Sequence, residues 1–164
     1  MTFQAEIIRV LIASPSDLAE EREIVTEAIN EWNAQHAVAE RVVLLPVKWE
    51  THATLRAGVR PQGAINEQIV EHSDILVGMF WTKFGSSTGV AESGTVEEID
   101  QCVAKGKRTL LYFSKRPVDP STIDLEQQKK LPQFKAATYT KALVGQFSDL
   151  AGLRQTVLCD LLGT

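Results

Sequence analysis

Two kinds of block alternate along this chain. The first is a short run of β-branched and aliphatic residues bounded by turn formers: IIRVLIA (7–13), RVVLLPVKW (41–49), ILVGMFW (75–81), RTLLYFS (108–114) and KALVGQF (141–147). Runs of this length predict strands, and continuous apolar ones predict strands covered on both faces. Pro46 cannot donate to a ladder, so the second run has a bulge or lies at a sheet edge. The second kind of block spaces its apolar residues helically. Leu18, Ile24, Val25, Ala28, Ile29 and Trp32 share one side of a helix after the first strand. Its start reads as a Ser14 cap, Pro15 at the first helical position and Asp17 as the box acid. Ile65, Ile69 and Val70 predict a helix over 64–74, and Val96, Ile99 and Val103 predict one inside SGTVEEIDQCVAKGK (93–107). Gly106-Lys107 ends that helix. A short helix is expected around Leu125 to Phe134, and DLAGLRQTVLCDLL predicts a closing one.

Five strand–helix units imply an α/β domain: a central, mainly parallel five-stranded sheet with helices on both faces. In such sheets ligands gather beyond the carboxyl ends of the strands. The SPSD turn, the WETH loop and the FWTKFGSSTG loop follow the first three strands, so they should meet at one rim. The helix carrying Glu97, Glu98 and Asp100 begins at that rim too. Glu98 in its first turn is therefore near a possible site.

Composition narrows the field. A chain of 164 residues makes one domain with a real core, and its 44% hydrophobic and 23% charged content is ordinary for a soluble protein. A net charge of -4 gives no electrostatic case for nucleic acid or membrane surfaces. No apolar run reaches membrane-span length, and the amino terminus reads as a first strand, not a signal peptide, so a cytoplasmic protein is expected. Cys102 and Cys159 are far apart and read as small buried apolar residues, with no disulfide expected. No histidine stands at ligand spacing to them, so no metal site is expected. His36, His52 and His72 are scattered, and only His52 lies near the rim. GxGxxG, GxxxxGK[ST] and GxSxG signatures are absent.

The stretches VLIASPSDLAEER (10–22), VKWETH (47–52), RPQGAINEQIVEHSDILVGMFWTKFG (60–85), SGTVEEI (93–99) and GKRTLLYFS (106–114) together resemble a Toll/interleukin-1 receptor homology (TIR) domain. The closer likeness is to a TIR-like branch of unknown function found in front of NACHT-type NTPase or repeat modules. The last third, from Lys115 onward, carries little of it. The resemblance implies a flavodoxin-like or TIR-like three-layer sandwich, self-association, and the role of amino-terminal module in a longer protein. SGTVEEI is also similar to the motif that supplies the catalytic glutamate of nucleoside deoxyribosyltransferases. Laid on Gly94-Thr95-Val96-Glu97-Glu98-Ile99, that role falls on Glu98. Enzymatic TIR domains likewise keep an essential glutamate on the helix after the third strand. The tryptophan-cysteine pair common before it in TIR domains is replaced by Thr95-Val96, which leaves Glu97 as the alternative.

Cleaving a ribosyl C–N bond develops positive charge on the sugar carbon. A fixed carboxylate beneath that carbon stabilises the charge or captures it. Nicotinamide in NAD is a cationic leaving group and needs no general acid, whereas a neutral base is normally helped by a protonated partner. The sequence offers one placed acid and no clear partner, which favours NAD as substrate, with no cofactor. Around Glu98, Trp81 and Phe84 are expected at the mouth of the third strand, to hold an aromatic ring or to pack in the core. Ser14 and Ser16 read as helix-capping residues or as contacts to ribose or phosphate. Glu50 reads as part of the pocket or as an ion-pair partner of Arg56 or Arg60. Two functions stay open: a clustered NAD glycohydrolase, and a contact module without turnover. Nucleoside deoxyribosyl transfer is a third.

Overall fold

A computed structural model describes residues 1–15, 17–48, 69–82, 94–122, 124–138 and 142–163 of the chain. Five strands form one sheet: β1 (Glu6–Ala13), β2 (Val42–Val47), β3 (Ile75–Phe80), β4 (Arg108–Ser114) and β5 (Leu143–Phe147). Every pairing is parallel and the order is β2-β1-β3-β4-β5. This is the flavodoxin-like order, which reverses direction between β1 and β3. The fold expected from the alternating blocks is the one observed.

Alternation along each strand divides the core in two. Ile75, Val77 and Met79 of β3, with Leu110 and Tyr112 of β4, pack against α1 (Ala19–Glu40) and α4 (Leu150–Leu161). Leu76 and Phe80, with Leu111 and Phe113, pack against α2 (Gly94–Ala104), α3 (Leu125–Thr138) and the helical residues 69–71. Central β3 is buried at all of its positions, as a parallel strand covered on both faces should be.

Pro46 sits on an edge strand, the second of its two expected placements. Asn33 of α1 closes that edge: its Nδ2 donates to the Leu44 carbonyl at 2.7 Å, and Leu44 N–H donates to its Oδ1 at 2.7 Å. By alternation Pro46 also turns its backbone outward, where a missing N–H removes no ladder bond. A single residue, Arg41, turns α1 into β2 with a left-handed φ of 59°. Gly106, at φ 71°, ends α2 with Gly106 N–H on Val103 O and Lys107 N–H on Cys102 O. The Lys107 ammonium donates to the carbonyls of Val70, Glu71 and Ser73, tying the entry of β4 to the entry of β3.

The short helix expected at Leu125 to Phe134 runs on to Thr138. Of the helix expected over 64–74, residues 69–71 are described. Cys159 corrects an expectation. It is exposed on α4, while Cys102 is buried, and both are free thiols.

Candidate functional site

The carboxyl ends of β1, β3 and β4 and the opening turns of α1 and α2 share one rim, beside the β1/β3 reversal. What the chain does there departs from local rules. The capping box read at Ser14, Pro15 and Asp17 does not form. Helix α1 starts at Ala19, and Leu18 holds the cap position with no side-chain cap bond. The acid has a distant partner instead: Asp17 Oδ2 accepts from Thr82 N at 3.1 Å and from Thr82 Oγ1 at 2.9 Å. That bridge joins the exits of β1 and β3, and buried Leu18 pins the turn. Ser14 ends half-buried, and among the described residues its buried Oγ has no hydrogen-bond partner. An orphaned hydroxyl at this rim suits a ligand contact better than a cap.

Glu21, one turn into α1, is 1% exposed. Its Oε1 lies 2.6 Å from Arg116 Nη2, an ionic contact without hydrogen-bond alignment. Arg116 follows β4 and reaches across the exit of β3. Its guanidinium carbon lies 4.3 Å from the centre of the Trp81 ring, and Trp81 Nε1 donates to the Arg116 carbonyl at 3.1 Å. Trp81 is thus half-buried at the mouth of β3, where the sequence places it, but one ring face is already covered by a cation. Together Glu21, Arg116 and Trp81 form a strap over the sheet end. Nothing in their spacing along the chain announces it.

Helix α2 supplies the acids. Thr95, Val96, Glu97, Glu98 and Ile99 are all buried, with Glu97 at 3% and Glu98 at 5% exposure. The stripe expected from Val96, Ile99 and Val103 is the one packed on the sheet. Cys102 is fully buried and joins Val96 and Ile99 in the cluster packed on the sheet, with Val103 partly buried against it. The stripe also takes in Cys102, since a free cysteine packs as a small hydrophobe. Glu97 closes the first turn and Glu98 opens the second, one residue later than expected. The helix dipole therefore acts less strongly on Glu98 than on Glu97. Burial alone does not separate the two acids. Glu98 stands one turn before Cys102, and its charge reaches that thiol.

The charge of Glu98 is felt on both sides of the rim. Burial holds the Arg22 guanidinium of α1 below its ordinary value, and the negative charges of Glu98 and Glu23 oppose that shift. Burial pushes the Cys102 thiol up to about 11; Lys107 opposes, and Glu98 adds to the rise. Arg22 and Glu98 belong to helices on opposite faces of the sheet, so the interaction links the two faces. Sequence reading missed Arg22. Its signal was available, as a cation in the opening turn of the helix after β1. Ser16, Glu50 and Phe84 lie outside the described residues, as do Trp49, His52 and Lys83. Among the described residues, no group of three His, Cys, Asp or Glu side chains could hold a metal ion.

None of the curated proteins compared with the chain matches it. Among solved structures, the chain is similar to translation elongation factor SelB from Methanococcus maripaludis in complex with the GTP analogue GppNHp. The match has 11% identity and a TM-score of 0.52, and covers 98% of this chain and 34% of SelB. The chain thus spans about a third of the length of that protein, and the likeness concerns fold alone. Flavodoxin 1 from Bacillus cereus aligns at 8% identity and a TM-score of 0.46, covering 98% of this chain and 99% of its own. A Streptococcus flavodoxin aligns at 14% identity and a TM-score of 0.44, covering 94% and 99%. A family profile matches residues 9–161, and the chain belongs to that family, described as Domain of unknown function (DUF4062).

Proposed function

We propose that this domain cleaves the N-glycosidic bond of NAD, with Glu98 as the carboxylate that meets the developing ribosyl cation. The observation that carries the reading is Glu98 itself: a carboxylate buried in the opening turns of α2 whose negative charge acts on Arg22 of α1, on the other face of the sheet. Ligands of doubly wound folds bind at a reversal such as that between β1 and β3.

In this reading nicotinamide leaves with the bonding electron pair, which neutralises its ring nitrogen. The sugar carbon becomes cationic and is stabilised or captured by Glu98. Water then adds to that carbon and releases a proton, giving ADP-ribose. No general acid is required, because the leaving group starts as a cation. Arg22 offers the substrate's phosphates a positive charge, and the Ser14 hydroxyl offers a hydrogen bond. Resemblance to TIR domains supports a clustered, cytoplasmic effector, activated by self-association within a longer sensor or defence protein. No helix among the described residues is long and apolar enough to cross a membrane.

The test is nicotinamide release from NAD by protein clustered on an oligomeric fusion, beside Glu98→Gln. Release by the parent and a loss of roughly 10²- to 10³-fold in the variant are expected, the scale of removing one well-placed electrostatic group. Undiminished release by Glu98→Gln removes the residue from the mechanism. A second reading, a contact module without turnover, draws on Leu143, which is 51% exposed on edge strand β5. Clustered protein that releases no nicotinamide, yet loses self-association on Leu143→Lys, favours that reading.

A further inference from the structure

On the face of β3 that meets α2, Leu76 and Phe80 carry side chains and Gly78 between them carries none. A methyl group at position 78 would stand 2.7 Å from Leu111 Cδ2 of β4, and 3.3 Å from both Ile99 Cδ1 of α2 and Leu76 Cδ2. These contacts are closer than packed carbon atoms allow. Gly78 pairs with Leu111 in the sheet register, and Leu111, Leu76 and Ile99 belong to one packed cluster. All three are side-chain ends: Leu111 must turn aside, and Ile99 must give by a few tenths of an ångström. Ile99 is 1% exposed and is the residue directly after Glu98. The terminal methyl of Ile99 therefore seats α2 against a strip of bare β3 backbone, next to the acid that matters.

From this geometry we infer that Gly78 is a positioning residue for Glu98: the missing side chain sets how closely α2 approaches the sheet, and so where the carboxylate stands at the rim. The inference rests on the NAD-cleaving reading for its effect on catalysis. The seat itself is a property of packing and is read independently. Displacement of a reacting group by about 1 Å costs on the order of 10²-fold in rate, and a lift of a few tenths of an ångström costs less. The substrate is bound by other groups, so the loss falls on kcat rather than KM.

Two readouts test this in one set of variants: Gly78→Ala alone, and Gly78→Ala combined with Ile99→Val or with Leu111→Val. The first readout is the kinetics of nicotinamide release. The second is the rate of thiol labelling at Cys102, one turn after Glu98, in a Cys159→Ser background that leaves it the only cysteine. Gly78→Ala should lower kcat roughly 10-fold with KM within about 2-fold. It should also speed labelling of the buried thiol. Ile99→Val removes the facing δ-methyl and should reverse both changes. Rescue by Leu111→Val and not by Ile99→Val would put the strain inside the sheet and overturn the inference, as would unchanged labelling in Gly78→Ala. If the parent releases no nicotinamide, the NAD reading fails and labelling alone decides the seat: faster labelling that Ile99→Val reverses upholds it. Should Gly78→Ala not fold, Ile99→Leu alters the same joint at constant volume. A KM-neutral fall in kcat, or faster labelling where there is no turnover, then supports the seat, and no change in either overturns it.

Discussion

The two faces of the sheet are built on different terms. On the α1/α4 face, Trp32, Ile29, Val25, Leu153 and Val157 fill an apolar core, and polar groups trim its margins. Asn33 clamps Leu44. Arg154 of α4 bonds Glu31 of α1 at 2.9 and 2.5 Å and reaches Glu27 at 3.1 Å. Tyr112 donates to Asp160 at 2.5 Å, and Arg108 Nη2 donates to the Asp160 carbonyl at 2.6 Å. On the α2 face, two carboxylates are buried within the opening turns of one helix, and that helix rests on a glycine. Burying ionised groups opposes folding unless they are well partnered. The difference teaches where to look for function. The α1/α4 face holds its buried carboxylate, Glu21, against Arg116, while the α2 face takes in two neighbouring acids on one helix.

The largest expected effect lies on the first face. Trp32→Ala should cost about 3–5 kcal/mol of unfolding free energy in a urea titration, because a fully buried ring leaves a cavity. A cost below about 1 kcal/mol would show that this face is not the stabilising one.

Next in size is a pH effect on the second face. The Cys102 thiol is raised from an ordinary 9.0 to about 11 in the folded protein. Below pH 9 the thiol is protonated in both states, and its burial costs nothing extra. Between about 9 and 11 the unfolded chain releases that proton while the folded protein holds it, so stability falls as pH rises. The loss should approach roughly 2–3 kcal/mol by pH 11 and be absent in Cys102→Ala, relative to that variant's own value at pH 8. Urea midpoints across this range check it.

Asn33→Ala should cost about 1–2 kcal/mol, since both backbone groups of Leu44 lose their partner. It also opens an edge strand, so light scattering on storage should rise. The smallest change sharpens the comparison most. Glu98→Gln should alter stability by no more than about 1 kcal/mol while removing activity, if the carboxylate is kept for chemistry. A loss of about 3–5 kcal/mol, the scale of breaking a buried ion pair, would make Glu98 a structural partner and erase the contrast between the faces.

Much of the fold could be read in advance. The apolar runs mark all five strands to within two residues, because burial on both faces of a parallel sheet leaves little room for polar residues. Gly106 announces the end of α2 because few other residues adopt its backbone angle readily. The site was less legible. Glu98 was reached through a motif, because periodicity left open which of Glu97 and Glu98 leans over the strand ends. The Ser14 box failed because the Asp17 carboxylate found Thr82, sixty-five positions away in the chain, and no local rule weighs such a partner.

By itself, then, the sequence determined which of the described segments are strands and helices, and that they form a layered α/β domain. Those properties follow from periodicity and backbone preference, which act over a few residues. Only the tertiary structure decided that β1 and β3 are neighbours, that Arg22 and Glu98 act on each other from opposite faces, and that Arg116 straps Glu21 over Trp81. These pairings depend on strand order, and strand order comes from how distant helices cover the sheet, a long-range balance of burial that no short stretch of chain records.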